Sequence, residues 1–268
     1  MKRLTIAFLS LFLFVGVQVN AHVPFLKPNQ FIVLHNRLQI ESSFTEFPFQ
    51  ADFAMDSPCF SMIEPGGGQT ILQPTAKTRV ANYLEPRLAG DGTYRINAGV
   101  RKGPKYKALE TPDGKLYFSD DMQKHQGRAT SLQYYSSADT YLAKGQPDYK
   151  PQLMEKGIEI IPLSSPNAIQ VKDESSFRVY QDGKPVANAR VVVVYDNEHY
   201  DKHRIGDLYD VENTRESTLN ANADGVFTFS PKKAGLVLLF VTVHTKIDDT
   251  LWESYNSSLS LEVNLPGA

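Results

Sequence analysis

The stretch Ser176-Phe177-Arg178-Val179-Tyr180-Gln181-Asp182-Gly183-Lys184-Pro185-Val186-Ala187-Asn188-Ala189-Arg190-Val191-Val192-Val193-Val194-Tyr195 decides the fold. Two β-type runs, Ser176 to Tyr180 and Ala189 to Tyr195, flank a segment whose Asp-Gly and Lys-Pro residues are turn formers. Downstream, Ala223-Asp224-Gly225 leads into Val226-Phe227-Thr228-Phe229-Ser230. The apolar run Gly235 to Val243 reads as a buried strand, and Ser257-Leu259-Leu261-Val263 closes the chain. About seven strands in roughly a hundred residues is the size and spacing of an immunoglobulin-like sandwich.

Upstream the same signal continues. Strand candidates are Phe31 to His35, Leu38 to Ser42, Thr70 to Gln73, Arg79 to Leu84, Gly92 to Ala98, Lys115 to Ser119, Ala129 to Tyr135, Ala138 to Ala143 and Gly157 to Leu163. The segment Phe44 to Phe49 is aromatic but carries Pro48, which marks an edge or a loop. Gly66-Gly67-Gly68 lacks the Lys-Ser/Thr ending of a phosphate loop and reads as a turn. No amphipathic helix of ten residues is found. The expectation is an all-β protein of two β-sandwich-like lobes. Ser164-Ser165-Pro166-Asn167 serves as linker, with an N-terminal lobe over 22–165 and an immunoglobulin/transthyretin-like lobe over 166–268.

At the N-terminus, Lys2-Arg3 precedes an apolar run from Leu4 to Val19, too short for a comfortable bilayer span, and Val19-Asn20-Ala21 ends with small residues where a signal peptidase reads. Residues 1–21 are therefore expected to be a signal peptide cut after Ala21, with the mature protein periplasmic and starting at His22. That histidine would carry three potential metal-binding atoms. Its α-amine and Nδ1 can close a chelate ring on one ion, at a lower ordering cost than two separate side chains. No later run is long enough to span a bilayer, so no stable membrane insertion is expected. A net charge of −2 without long charged blocks gives no reason to expect nucleic acid as a partner. Cys59 is the single cysteine, which rules out an internal disulfide; its default reading is a buried, inert thiol.

Several motifs then resemble one family. They are Gly157-x-Glu159-Ile160-Ile161-Pro162-Leu163-x-x-Pro166, Gly183-Lys184-Pro185-Val186-x-x-Ala189-x-Val191, Asn222-Ala223-Asp224-Gly225-x-Phe227-x-Phe229, and Gly235-Leu236-Val237-Leu238-Leu239 leading to His244. With the Ala21-His22 junction and the proline after it, they are similar to secreted bacterial proteins grouped as a domain of unknown function and described as the periplasmic component of cobalt or nickel uptake. The resemblance implies a two-lobed β-rich protein that binds or hands over a transition metal, with an inner- or outer-membrane metal transporter as partner. Two departures stand out: Val237 occupies a position where the family commonly has tryptophan, and the segment between Val194 and Thr218 is unusually rich in histidine and acid.

Six histidines are available as ligands. His22 is the anchor, and His244, at the end of an apolar strand where sheet meets loop, is the leading partner. His199 and His203, four apart among Asp196, Glu198 and Asp201, would share one face of a helical turn; on a strand they would stand about 13 Å apart, too far for one ion. His35 falls on a strand candidate and His125 on an exposed loop. Imidazole and amine donors suit nickel, cobalt, copper or zinc, and release of the ion is expected as pH falls through the imidazole range, about 6–7. Gly-x-Ser-x-Gly and His-Glu-x-x-His are both absent, so a binding protein is favoured over an enzyme. Two alternatives remain at this point: a copper-dependent polysaccharide oxygenase-like enzyme using His22 and a second histidine, and a metal-free adhesion or sugar-binding module.

Overall fold

The computed structural model describes residues 22–47, 49–196, 198 and 218–267. Residues 1–21, expected to be a leader, lie outside the described residues, as do His199 and His203. In chain order the strands of the first half are β1 (Val23–Pro28), β2 (Ile40–Thr45), β3 (Phe53–Ala54), β4 (Phe60–Ile63), β5 (Gln69–Leu72), β6 (Ala76–Lys77), β7 (Asn82–Leu84), β8 (Gly92–Asn97), β9 (Arg101–Glu110), β10 (Leu116–Phe118) and β11 (Arg128–Lys144). A 3₁₀ helix, Ser119–Lys124, separates the last two. The second half contains β12 (Ile158–Pro162), β13 (Ser175–Gln181), β14 (Lys184–Pro185), β15 (Arg190–Tyr195), β16 (Thr218–Asn220), β17 (Val226–Phe229), β18 (Gly235–Lys246) and β19 (Leu251–Val263). Among the described residues no helix is long and apolar enough to cross a membrane.

The protein is all-β, with two sandwich-like lobes of which the C-terminal one is immunoglobulin-like. Three sheets build them. A sheet ordered β1-β2-β7-β6, with β3 also on β2, covers the N-terminal lobe, and a sheet of β12, β13, β14 and β17 covers the C-terminal lobe. The third runs behind both, in the order β16-β15-β18-β19-β11-β8-β4-β5, with β9 and β10 branching from β11. The lobes thus share a sheet through β11 and β19, which pair in parallel from Ser131↔Leu251 to Thr140↔Ser260. Every other named strand pairing is antiparallel.

Side-chain alternation divides the core. In the C-terminal lobe Phe177, Val179, Phe227 and Phe229 meet Val191, Val193, Leu239, Val241, Leu259 and Leu261. In the N-terminal lobe Leu26, Ile40 and Leu84 meet Met62, Tyr94, Ile96, Ala138 and Leu142. The opposite face of β15 and β18, bearing Val192, Val194, Leu238 and Phe240, is covered by Val23, Phe25 and Phe49. The run of valines is buried on both faces because β1 lies over the side that the C-terminal sandwich leaves open.

Local chemistry matches these elements. Asp182 and Gly183 both take positive φ, 48° and 77°, as the tight turn between β13 and β14 requires. At Gly225 (φ 75°) an added Cβ would lie 2.9 Å from the Val179 carbonyl oxygen, and Asn222 Oδ1 closes that turn by accepting from the Asp224 and Val226 amides. The three-glycine segment is the hairpin turn between β4 and β5.

Three expectations are corrected. Phe31 to His35 is not a strand: it joins β11 only at the Ile32↔Ala143 bridge, through Val33 N to Ala143 O and Ala143 N to Phe31 O. Cys59 is exposed, not buried: it lies in the segment before β4, which is exposed at Pro58 and Cys59 and turns inward only at Phe60. Ser164 to Asn167 is not a free linker, since buried Asn167 donates from Nδ2 to the Tyr141 carbonyl at 3.0 Å. β12, just before the expected boundary at 165/166, pairs with β13 of the C-terminal lobe.

Candidate functional site

His22 stands one residue before β1, whose first residue Val23 pairs with Thr45 at the end of β2. The chain then turns back through residues 46–52 to β3, where Phe53 pairs with Phe44. This return brings two carboxylates to the histidine. Nε2 of His22 is 3.2 Å from Oε1 of Glu46 and 3.9 Å from Oδ2 of Asp52, and the ring meets Phe53 edge-on with centroids 4.5 Å apart. The His22 side chain is 13% exposed and the carboxylates 28% and 34%, so the corner is sheltered but open to solvent.

The return loop is held in shape. Asp52 Oδ2 accepts from the Glu46 amide at 2.7 Å, and Asp52 N donates to the Phe44 carbonyl. Thr45 Oγ1 donates to the Phe47 carbonyl. Phe49 has φ 58°, a left-handed conformation uncommon for a bulky residue, with a typical cost of about 1–3 kcal/mol. Its ring is buried against Phe25, with centroids 5.7 Å apart, and its carbonyl accepts from Lys27 Nζ, which also pairs with Glu41. Buried aromatic contact therefore holds a strained residue between the two acids.

The two carboxylates bear on the Nε2 side of the His22 ring. A carboxylate at Nε2 favours the tautomer with the proton on Nε2, which makes Nδ1 the nitrogen with the lone pair. Nδ1 is also the atom that can chelate with the residue's own main-chain nitrogen. Glu46 and Asp52 thus serve to orient the ring. Among the described residues no three His, Cys, Asp or Glu side chains converge closely enough to hold an ion by themselves.

The remaining described histidines lie on other elements of the fold. His244 lies on β18 opposite Ser254. Surrounding protein pushes its pKa down to about 4, although the residue itself is exposed, so water offsets part of that push. His35 is exposed and its Nδ1 accepts from the Arg37 amide. His125 stacks on Tyr117 with centroids 3.5 Å apart. Reasoning from sequence had not singled out Glu46 and Asp52. The only available signal was a proline-interrupted aromatic run returning toward β2.

No curated protein matches the chain. Among solved structures, the D0-D1 domain of intimin aligns over 88% of this chain and 96% of that one, at 9% identity and a TM-score of 0.21. A tetra-tandem repeat from the extending region of a large adhesion protein aligns over 89% of this chain and 49% of that one, at 10% identity and a TM-score of 0.23. Alignments this loose carry no argument about function. The sequence itself is more informative: residues 19–245 match a family described as a domain of unknown function, DUF4198, and the chain belongs to that family.

Proposed function

We propose that the mature protein, beginning at His22, is a periplasmic binding protein for a divalent transition metal, nickel, cobalt, copper or zinc, and that it supports uptake by handing the ion to a membrane transporter. The observation that carries this reading is the carboxylate of Glu46 at 3.2 Å from Nε2 of His22. It orients the ring as metal-binding imidazoles are oriented. Nδ1 and the α-amine freed by cleavage after Ala21 would hold the ion, and the lone pairs of both are neutral borderline donors that suit these metals. Across the series raw affinity favours copper(II), so the ion carried in the cell is set by supply as well as by the site.

The proposal makes the free amine essential. The test compares protein starting at His22 with protein carrying one extra alanine before it, by titration with nickel(II) and copper(II). Chelation predicts that the extension abolishes tight binding while leaving the circular dichroism spectrum unchanged. Equal affinity in the two proteins would overturn the proposal.

A further inference from the structure

The far end of the first sheet carries two open pockets. β1 runs six residues from the His22 corner to Pro28, a distance of about 20 Å. Beyond Pro28 the loop 29–39 and the segment 85–89 form the walls of two contiguous pockets of about 490 and 640 Å³, which share Asn36, Leu38, Pro86 and Arg87. Their size is that of small-molecule sites.

The lining is cationic above an apolar floor. Arg37, Arg87 and Lys144 face the pockets against a single carboxylate, Glu85, which is already engaged by Gln39 Nε2 at 3.2 Å. Val33, Leu38 and Leu88 form the floor and are buried. The loop satisfies itself through its backbone: Asn29 Nδ2 and Gln30 Nε2 both donate to the Arg37 carbonyl, and Asn29 Oδ1 accepts from the Gln39 amide. Lys144 Nζ donates to the Leu88 carbonyl at 2.7 Å and ties the second wall to β11. Among the described residues, no hydrogen bond or ion pair engages the guanidinium of Arg37 or of Arg87. Two arginine forks from separate segments therefore stand without a protein acceptor, Arg37 at the larger pocket and Arg87 at both, with Leu38 common to the two and Val33 and Leu88 lining the smaller.

We propose that this groove binds a small organic anion with two or more carboxylates, Arg37 and Arg87 each taking a carboxylate and the Val33, Leu38 and Leu88 floor taking the uncharged body. Arginine matches carboxylate because its planar fork donates two parallel hydrogen bonds. The apolar floor favours an organic ligand over a bare inorganic oxyanion. The site stands independently of metal binding at His22.

The test is calorimetric titration of the metal-free mature protein with citrate as probe, at about 0.15 M salt so that unspecific attraction is screened. One saturable site per chain is expected. Arg37→Gln and Arg87→Gln should each weaken it about tenfold or more, while Arg87→Lys, which keeps charge but loses the fork, should fall between. Glu85→Gln should tighten binding, and His22→Ala should leave it unchanged. Both arginines are exposed, so an unaltered circular dichroism spectrum is expected for each variant. The proposal is overturned by absence of saturable heat, by unchanged affinity when both arginines are replaced, by inorganic phosphate binding as tightly as citrate, or by retention only on vesicles of anionic phospholipid.

Discussion

Arg95 of β8 donates from Nε to Oδ1 of Asp139 on β11 across 2.7 Å, with both side chains 3% exposed or less. The same guanidinium reaches Glu159 of β12 at 2.8 Å and donates from Nη1 to the Gln152 carbonyl. Asn97 also donates to Asp139 Oδ1, and the Met154 and Glu155 amides donate to Glu159. One buried cation thus ties the N-terminal lobe, the shared sheet and the first strand of the C-terminal sheet. Arg95→Met would leave two carboxylates buried without a cation, and a loss of about 3–5 kcal/mol is expected. Urea unfolding followed by tryptophan fluorescence and by circular dichroism measures it; a loss within about 0.5 kcal/mol, the range of ordinary surface changes, would show that the network is not needed.

Glu110 gives a pH dependence. Hydrogen bonds from Arg128, then Lys246, with a further one from Trp252, hold its pKa down at about 2 against an ordinary 4.5. The folded-state value is the lower one, so the ionised carboxylate contributes stability above about pH 4.5 and that contribution is lost as pH falls toward 2. Glu110→Gln should lower the melting temperature at pH 7, with the gap to wild type closing between pH 4.5 and pH 2. A gap that stays constant through that window would contradict the assignment.

Phe25 links stability to the site. It is fully buried between Phe49 and the outer face of β15 and β18. Phe25→Ala should cost about 3–5 kcal/mol and, by releasing Phe49 from its left-handed conformation, loosen the loop that presents Glu46 and Asp52. Thermal unfolding and nickel titration of the same variant should show both losses. Loss of stability with unchanged metal affinity would separate the loop from the site.

The strands that sequence made legible are those with an apolar face, such as β13, β15 and β17. β1 was hidden by Pro24 and Pro28, which are tolerated because among the described residues β1 pairs only with β2 and prolines can occupy an edge. β9 was hidden by Lys102, Lys105 and Lys107, whose charges suit a strand with one free edge over residues 101–107. β18 and β19 extend past the apolar run, to Lys246 and from Leu251, where half-buried and exposed residues of mixed polarity carry no clear burial period. The parallel β11–β19 pairing joins residues about 120 apart and left no local trace. At the candidate site, His22 was legible as the residue after the expected cleavage point. Its carboxylates were not, because only the return of β3 onto β2 brings Asp52 beside it.

Glu46 is the positioning residue of this account, with Asp52 in support. Glu46→Gln, which keeps shape but removes the charge, should weaken metal binding about 10–100-fold, and Asp52→Asn should weaken it less because Asp52 lies farther from the ring. Equal affinities in wild type and both variants would show that the carboxylates do not act on His22.

The most direct measurement is metal stoichiometry. Protein secreted into the native compartment, confirmed by N-terminal sequencing to begin at His22, should carry about one transition ion per chain, and its His22→Ala form should carry none while folding to the same circular dichroism spectrum. A mature protein that starts elsewhere, or a His22→Ala protein that retains the same metal content, would contradict the account.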